Sequence, residues 1–467
     1  MRVKVPRLVI AGLAGDSGKT LISLGLVRAL ADRGLKVYPF KKGPDYIDAA
    51  WLGLAARNTC RNLDTFLMSE EAMAGALVTA ASDADIILVE GNRGLFDGVD
   101  VEGSHSTAML ARRLAAPVVL VLDCTKMTRT AAALVLGCRA LDPELDLAGV
   151  ILNRVGCGRH ENIVREAVAG KAGTPVLGAI RRLKGDDPLP GRHLGLVTTA
   201  EHPDPDATVE RAAKAVVEGV DIDRLLAAAQ WAPELELQPA QSTAHQFPVR
   251  IAYLEGEAFS FYYPENLELL RAAGVSLVPV DPAAATELPA VDGLYIGGGF
   301  PEVYAERLGA NTTFIASIRD QVESGMPVFA ECAGLMYLAR ELVVNGVAHP
   351  MAGVLDLVVE QHRTPQGHGY EVAVADRDNP FFPAGTRLVG HEFHYSKVIA
   401  GSDLERGVLR VERGTGIGHQ RDGINRGRVF ASYLHLHAGA TPNWADGFLS
   451  LAALYADERG GSTAACG

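Results

Sequence analysis

The chain has 467 residues, which is enough for two or three domains of ordinary size. Its 44 lysine and arginine residues against 56 aspartate and glutamate residues give a net charge of −12, and this acidic balance argues against a nucleic-acid partner. No apolar stretch reaches the roughly 18 residues of a membrane span, and the six cysteines lack the paired spacing of a zinc site or a disulfide framework. We therefore expect a soluble, cytoplasmic protein with no membrane partner.

The first predicted element is a strand formed by Val5 and the apolar residues 8–10. It leads into IAGLAGDSGKT at residues 10–20 and then into apolar residues at helical spacing. This order is typical of a phosphate-binding loop, in which backbone N–H groups converge on phosphate oxygens, Lys19 reaches the terminal phosphates and Thr20 ligates Mg²⁺. Leu13 stands where the common pattern has glycine, so a ligand-free glycine-rich turn is the alternative. The predicted nucleoside triphosphate site consists of Gly12, Gly15, Ser17, Gly18, Lys19 and Thr20.

Strand and helix patterns continue to alternate up to about residue 235. Most of the strand candidates are apolar along their whole length, which is typical of a sheet covered on both faces. They lie at residues 36–40, 86–90, 118–123, 148–153, 176–180 and 194–197. This pattern predicts a doubly wound parallel α/β sheet over residues 1–235. Residues 236–247, with proline, glutamine and serine but little apolar periodicity, predict a linker.

A second series of strand candidates follows the linker, at residues 249–254, 275–280, 293–296, 328–330 and 429–433. It predicts a second α/β domain over residues 248–445. Residues 446–467 are expected to form a C-terminal helix and a flexible tail, with residues 460–467 disordered.

Cys332 directly follows the strand predicted at residues 328–330, and small residues after it allow a sharp turn into a helix. This arrangement is typical of a nucleophile elbow, where a helix N-terminus is expected to lower the pKa of the thiol. Backbone N–H groups at Ala333 and Gly298 are the candidate oxyanion donors. The base is expected to be a histidine, and His435 and His437 alternate at the end of a strand, which places both on one face.

Several motifs resemble a known family. GGGFPE at residues 297–302, ECAG at 331–334 and SYLHLH at 432–437 resemble the glutaminase domain of the cobyrinic and cobyric acid amidotransferases, a branch of the class I glutamine amidotransferases. KGPDYID at 42–48, NLD at 62–64, EG at 90–91 and GLFDG at 94–98 are similar to the cobyrinic acid a,c-diamide synthases within that branch. The resemblance spans residues 7–445 and implies a P-loop domain followed by a class I glutaminase-like α/β domain.

The resemblance implies a carbon–nitrogen ligase of cobalamin biosynthesis. It would convert the a and c acetates of cobyrinic acid to amides, with ATP, Mg²⁺ and either L-glutamine or ammonia. Cys332 would attack the glutamine amide with His435 as its base, and ATP would convert the acceptor carboxylate to an acyl phosphate. Many class I enzymes have glutamate where His437 stands, so the group that orients His435 is left open.

The implied Mg²⁺ ligands are Thr20, Glu90 and Asp45, because phosphoryl transfer needs carboxylates that hold the cation. An anionic tetrapyrrole also requires cations nearby, among which Lys41 is a further candidate. The residues implied to contact it are Lys42, Asp45, Tyr46, Asp97, Arg93, Lys126 and Arg129.

Alternatives remain at the level of sequence. Arg93, Lys126 and Arg129 stand at positions that are usually small, polar or uncharged in the family, which suggests sirohaem or sirohydrochlorin as another acceptor. A cobyric acid synthase and a P-loop switch ATPase are further hypotheses, the latter disfavoured by Cys332 together with His435. A homodimer is the candidate oligomeric state. A metal site at His362, His368, His391 and His394 is disfavoured, because HEFHY at 391–395 lacks the HExxH spacing, so substrate contact or structural hydrogen bonding is expected instead.

Overall fold

A computed structural model describes residues 1–182, 191–192, 195–239 and 245–464 of the chain. It divides into two compact units, with the boundary between Ala240 and Gln241. Within the described residues, no helix combines the length and the apolar character needed to cross a membrane.

The first unit is built on a seven-stranded sheet in which all neighbouring strands are parallel. The strands, from one edge to the other, are Arg61–Leu63, Val37–Lys42, Ile86–Glu90, Arg7–Gly12, Val118–Asp123, Leu147–Val155 and Val176–Arg181. The helices are Lys19–Asp32, Ile47–Ala56, Glu70–Ala81, Thr107–Arg113, Thr130–Leu141, Gly158–Ala172, Pro205–Gly219 and Ile222–Gln230. The central strands are buried along almost their whole length, as their continuous apolar sequences require. The predicted fold class is confirmed.

Two predictions in the first unit need correction. The strand predicted at residues 194–197 does not join the large sheet, because Gly195–Leu196 pairs antiparallel with Gly191–Arg192, while residues 193–194 lie outside the described residues. The segment Leu235–Glu236 pairs antiparallel with Arg2–Val3. Glu236, predicted to open the linker, is therefore part of the first unit.

The second unit contains a ten-stranded mixed sheet. Its strands, in order, are Ser276–Val280, Arg250–Leu254, Gly293–Ile296, Val328–Glu331, Val429–Ser432, Arg421–Arg426, Gly407–Arg413, Gly367–Ala375, Arg387–His394 and His435–Leu436. The first five are mutually parallel and the later pairings are antiparallel. A four-stranded sheet is formed by Val347–Pro350, Glu341–Val344, Val358–Gln361 and Ser396–Ala400, and a ribbon by Phe259–Phe261 and Gly298–Gly299.

The helices of the second unit are Pro264–Ala272, Ala305–Ala310, Thr312–Glu323, Ala333–Leu338 and Asp446–Ala464, with a 3₁₀ turn at Ser402–Arg406. On one side of the sheet, Phe329 packs against Phe430 and Trp444 at ring-centroid distances of 5.2 and 5.1 Å. Phe448 of the last helix packs on the same ring, 6.0 Å away. Residues 460–464, predicted to be disordered, continue this helix, and residues 465–467 lie outside the described residues.

Candidate active sites

The loop after strand Arg7–Gly12 has the backbone geometry that its sequence predicts. Gly18 adopts a left-handed conformation with φ 88° and immediately precedes the helix that begins at Lys19. A Cβ atom at Gly18 would lie 2.1 Å from Nδ2 of Asn153, which donates a hydrogen bond to the carbonyl of Ser17 at 2.9 Å. Only glycine therefore fits this position without displacing the amide that supports the loop.

The side chain of Lys19 is buried and folds back on the loop. Its Nζ donates a hydrogen bond to the carbonyl of Ala14 at 2.9 Å. Burial lowers the pKa of Lys19, and the positive charge of Lys41 lowers it further. The ammonium groups of Lys19 and Lys41 therefore lie close enough to repel each other, and both contribute positive charge to the site beside the loop.

Two carboxylates face the first turn of the same helix. Oγ1 of Thr20 lies 2.8 Å from Oε1 of Glu90 and 3.4 Å from Oδ2 of Asp48. Glu90 is the last residue of strand Ile86–Glu90 and is fully buried, and its Oε2 has no hydrogen-bond partner among the described residues. Thr20 and Glu90, both predicted as metal ligands, thus lie together. Asp48 adds a further carboxylate oxygen that is suited to binding a metal ion.

Asp45, the third predicted metal ligand, is more exposed than Glu90 and Asp48. Its Oδ1 accepts a hydrogen bond from the backbone N–H of Asp48 at 2.9 Å, and its Oδ2 lies 3.9 Å from Nζ of Lys41. Burial raises the pKa of Asp45, and the charge of Asp48 raises it further. Asp48 was not among the predicted ligands, although it follows Asp45 by three residues, a spacing that places both on one side of a helical turn.

The oxygen atoms of Thr20, Glu90 and Asp48 fit Mg²⁺, a hard cation that prefers oxygen ligands. No group of three or more histidine, cysteine, aspartate or glutamate residues arranged to hold a metal ion occurs among the described residues. Mg²⁺ is ordinarily bound through one or two carboxylates together with substrate phosphates. These oxygen atoms would therefore hold Mg²⁺ only in part, and nucleotide phosphates would complete its coordination.

The residues predicted to contact a tetrapyrrole lie in three segments. Buried Lys42 pairs with Asp64 at 3.4 Å, and Tyr46 precedes helix Ile47–Ala56. Oδ2 of Asp97 accepts the N–H of Gly94 at 2.9 Å, so this carboxylate holds a turn.

The remaining predicted cations are exposed. Arg93 and Lys126 have left-handed backbones, with φ of 48° and 56°, and Arg129 precedes helix Thr130–Leu141. Arg93 follows strand Ile86–Glu90, whereas Lys126 and Arg129 follow Val118–Asp123. Both strands are neighbours of strand Arg7–Gly12. All three cations therefore come after strand ends that lie on the same edge of the sheet as the phosphate-binding loop.

In the second unit, Cys332 occupies a strained turn between strand Val328–Glu331 and helix Ala333–Leu338. Its φ of 46° and ψ of −93° are unusual for a non-glycine residue, and its N–H donates to the carbonyl of Ser432 at 2.7 Å. A Cβ atom at Gly334 would lie 2.6 Å from the carbonyl oxygen of Ile296. The helix can pack this closely only because glycine stands there, which is the local geometry expected of a nucleophile elbow.

The pKa of the predicted nucleophile is raised overall, and that of the predicted base is lowered. Burial raises the pKa of the Cys332 thiol, and the charges of Glu302 and Glu331 raise it further, which outweighs the expected lowering by the backbone N–H of Ala333 at the helix N-terminus. Burial lowers the pKa of His435 to about 3, with a smaller contribution from His394. Near neutral pH the protein thus holds a neutral thiol and a neutral imidazole.

Hydrogen bonds from buried side chains fix the segment that carries His435. Glu331 accepts the N–H of Leu436 at 3.0 Å, and Asp422 accepts those of Tyr433 and Leu434 at 3.1 Å each. Since Glu331 immediately precedes Cys332, its carboxyl group links the nucleophile segment to the segment of the base.

The imidazole of His435 stacks on that of His391, with a centroid distance of 4.7 Å and an interplanar angle of 16°. Nδ1 of His391 lies 3.1 Å from the hydroxyl of Tyr263. A Cβ atom at Gly298 would lie 2.5 Å from Cε1 of His435, so the predicted oxyanion glycine lies directly against the predicted base.

His437 has different surroundings from His435. Its Nε2 lies 3.7 Å from Oε2 of Glu265, and its ring packs edge-on against Tyr263 at 4.5 Å. Strand His435–Leu436 ends before His437, so the alternation predicted from the sequence does not extend through both histidines.

Comparison with known proteins assigns both halves of the chain. Residues 8–197 match the CobQ/CobB/MinD/ParA nucleotide binding domain, and residues 250–443 match the CobB/CobQ-like glutamine amidotransferase domain. A cobyrinate a,c-diamide synthase of Magnetococcus marinus is 44% identical over 452 residues, which cover 95% of this chain and 97% of that protein. The chain belongs to the cobyrinate a,c-diamide synthase family. The predicted family, and the predicted class of carbon–nitrogen ligase with glutamine as amide donor, are confirmed.

Other members of the family are similar over nearly their whole length. A cobyrinate a,c-diamide synthase of Dehalococcoides mccartyi is 41% identical over 455 residues, covering 96% of this chain and 98% of the relative. Another, of Archaeoglobus fulgidus, is 41% identical over 436 residues, covering 93% and 94% respectively. The similarity thus includes both units.

In this family member each of the four histidines first considered as a metal site contacts another side chain or a backbone carbonyl. His394 stacks on Tyr433 at 3.6 Å and its Nδ1 lies 2.7 Å from the carbonyl of Ser396, whereas His391 stacks on His435. His362 lies 3.5 Å from Glu360, and His368 packs on Phe393 at 4.6 Å. The structural role expected for His394 agrees with these contacts, and the position of His391 beside the predicted base was missed.

Proposed function

We propose that the protein catalyses ATP-dependent amidation of the a and c acetate groups of cobyrinic acid, with glutamine or ammonia as the nitrogen source. The observation that carries this proposal is the presence in one chain of a Thr20–Glu90–Asp48 cluster beside a phosphate-binding loop and of an elbow cysteine in a glutamine amidotransferase domain. The names of the relatives support cobyrinic acid as the acceptor.

In the first unit, the proposed step activates a carboxylate, which is a poor electrophile at neutral pH. An oxygen of the substrate carboxylate attacks the γ-phosphorus of ATP, the bond to the bridging oxygen breaks, and ADP and an acyl phosphate form. Mg²⁺, held by Thr20, Glu90 and Asp48, would neutralise charge on the phosphates when bound. Lys19 supplies a further positive charge beside the loop.

In the second unit, the proposed step releases ammonia from glutamine. His435 takes the proton of Cys332, and the sulfur attacks the side-chain amide carbon. His435 then gives this proton to the amide nitrogen, ammonia leaves, and the thioester that remains is hydrolysed by water to glutamate. The N–H of Ala333 and a backbone donor at Gly298 would stabilise the oxyanion. Ammonia then attacks the acyl phosphate and expels phosphate, which forms the amide.

The raised pKa of Cys332 and the lowered pKa of His435 bear on this step. Proton transfer from the thiol to the imidazole is unfavourable while both groups are buried and neutral. We therefore expect the thiolate to form only with glutamine bound, so that the free enzyme reacts slowly with thiol reagents.

Mass spectrometry of the products tests the function. The purified protein is incubated with ATP, Mg²⁺ and glutamine labelled with ¹⁵N in its amide, and with cobyrinic acid, sirohydrochlorin or sirohaem in parallel. We expect two labelled amides in cobyrinic acid. Amidation of sirohydrochlorin or sirohaem alone would show that this tetrapyrrole is the acceptor in place of cobyrinic acid. ATP hydrolysis without amidation of any of the three would favour the switch ATPase.

A cytoplasmic location and a homodimer remain predictions.

A further inference from the structure

The ammonium group of Lys41 lies among the oxygen atoms assigned to the metal ion. Its Nζ is 2.6 Å from Oδ2 of Asp48 and 2.8 Å from Oε1 of Glu90, and its side chain is only 2% exposed. Lys41 and Glu90 are paired in register on adjacent parallel strands. The strands themselves therefore place a positive charge beside a buried carboxylate.

Lys41 contacts the same oxygen atoms that would bind the metal ion. Oε1 of Glu90 lies 2.8 Å both from Nζ of Lys41 and from Oγ1 of Thr20, and Oδ2 of Asp48 also lies near both groups. A divalent cation bound by Glu90, Asp48 and Thr20 would share its oxygen ligands with the ammonium group. Such close positive charges repel strongly in a buried site.

The charges of Lys19, Lys41, Glu90, Asp48 and Asp45 determine when a divalent cation can bind. The two ammonium groups face three carboxylates, so the cluster carries one net negative charge when all five groups are ionised. A divalent ion added alone would leave one excess positive charge in a largely buried site, which is costly. A nucleoside triphosphate brings enough negative charge to accommodate the metal ion and both lysines together.

We propose that Lys41 is a positioning residue that acts as an internal counter-ion, holding Glu90 and Asp48 neutralised in the nucleotide-free protein and excluding a divalent cation until triphosphate binds. Metal ion and nucleotide then bind interdependently. The inference rests on the proposed function only in assuming that a divalent cation accompanies the nucleotide.

Binding of Mn²⁺, followed by electron paramagnetic resonance in the absence of nucleotide, tests this role. Lys41→Met should bind Mn²⁺ on the order of tenfold more tightly than the wild type, because the competing charge is gone. Lys36→Met is the control, since Lys36 directly precedes the same strand at its other end and pairs with Asp83 instead. Lys36→Met should match the wild type, and the double variant Lys41→Met/Glu90→Gln should lose the gain.

A second measurement uses the wild type and does not depend on the folding of Lys41→Met. Without nucleotide, the wild type should leave most of the added Mn²⁺ free in solution, because Lys41 occupies the carboxylate oxygens. Tight Mn²⁺ binding by the nucleotide-free wild type that Glu90→Gln abolishes would overturn the proposal, and so would a folded Lys41→Met that binds Mn²⁺ no better than the wild type. No tetrapyrrole or glutamine is present, so these results do not depend on whether the proposed amidation is correct.

Discussion

The close approach of Gly298 to His435 gives a direct test of the predicted base. A methyl group at Gly298 would lie 2.5 Å from Cε1 of His435 and 3.1 Å from Cβ of Phe261. The imidazole must move by about 0.9 Å to reach an ordinary contact of 3.4 Å. No left-handed backbone is needed at Gly298, so the substitution Gly298→Ala acts through this contact rather than through backbone strain.

A displacement of about 1 Å in a reacting group costs on the order of 100-fold in rate, or about 2.7 kcal/mol of transition-state stabilisation. We therefore expect glutamine hydrolysis by Gly298→Ala to fall about 100-fold. Amidation driven by added ammonia should remain at the wild-type rate, because ammonia replaces the product of the second unit.

The assay compares glutamate release from glutamine with amide formation from ammonium chloride. Gly460→Ala is the control, because a methyl group at Gly460 in the last helix meets no atom within 4 Å. Hydrolysis of glutamine by Gly298→Ala at the wild-type rate would refute this prediction, and so would an equal fall in the ammonia-driven reaction.

Two further predictions concern pH and the nucleotide. Burial raises the pKa of Glu331 to about 8, above its value of 4.5 in the unfolded chain, so the native state binds the proton more tightly and loses stability as the pH rises through this interval. The unfolding free energy of the wild type should then fall relative to that of Glu331→Gln by up to about 1.4 kcal/mol per pH unit between about pH 5 and 8, and a constant difference in urea titrations would contradict this. For Gly18→Ala, the 2.1 Å approach to Asn153 should weaken ATP binding on the order of tenfold or more in calorimetry, while Gly137→Ala, whose methyl group meets nothing within 4 Å, should bind normally. ATP binding by Gly18→Ala with wild-type affinity would show that the loop does not hold the nucleotide.

Local patterns were sufficient to predict much of the fold. Continuous apolar runs located the central parallel strands, and the turns at Gly18 and Cys332 were indicated by small residues between a strand and a helix. The last helix was underestimated, because the glycines at 460 and 461 suggested disorder. Phe448 and Tyr455 bury the preceding turns against the sheet, and this packing was not visible in the local composition.

The sites were harder to predict because their side chains converge from distant segments. Lys41 was assigned to the tetrapyrrole, yet pairing between strands places it beside Glu90, forty-nine residues away in the chain. His391 reaches His435 only through antiparallel pairing of their strands. The pKa of Cys332 depends on its burial, which the motif alone does not reveal.

The central claim is that Cys332 releases ammonia from glutamine for an ATP-dependent amidation, and that the amidation step itself does not need Cys332. The most direct test gives Cys332→Ser cobyrinic acid, ATP and Mg²⁺, with either amide-¹⁵N glutamine or ¹⁵N ammonium as the nitrogen source, and determines label in the product by mass spectrometry. We predict two labelled amides from ammonium and none from glutamine. Labelled amides from glutamine at the wild-type rate would contradict the account, as would the loss of both reactions in a folded variant that still binds ATP.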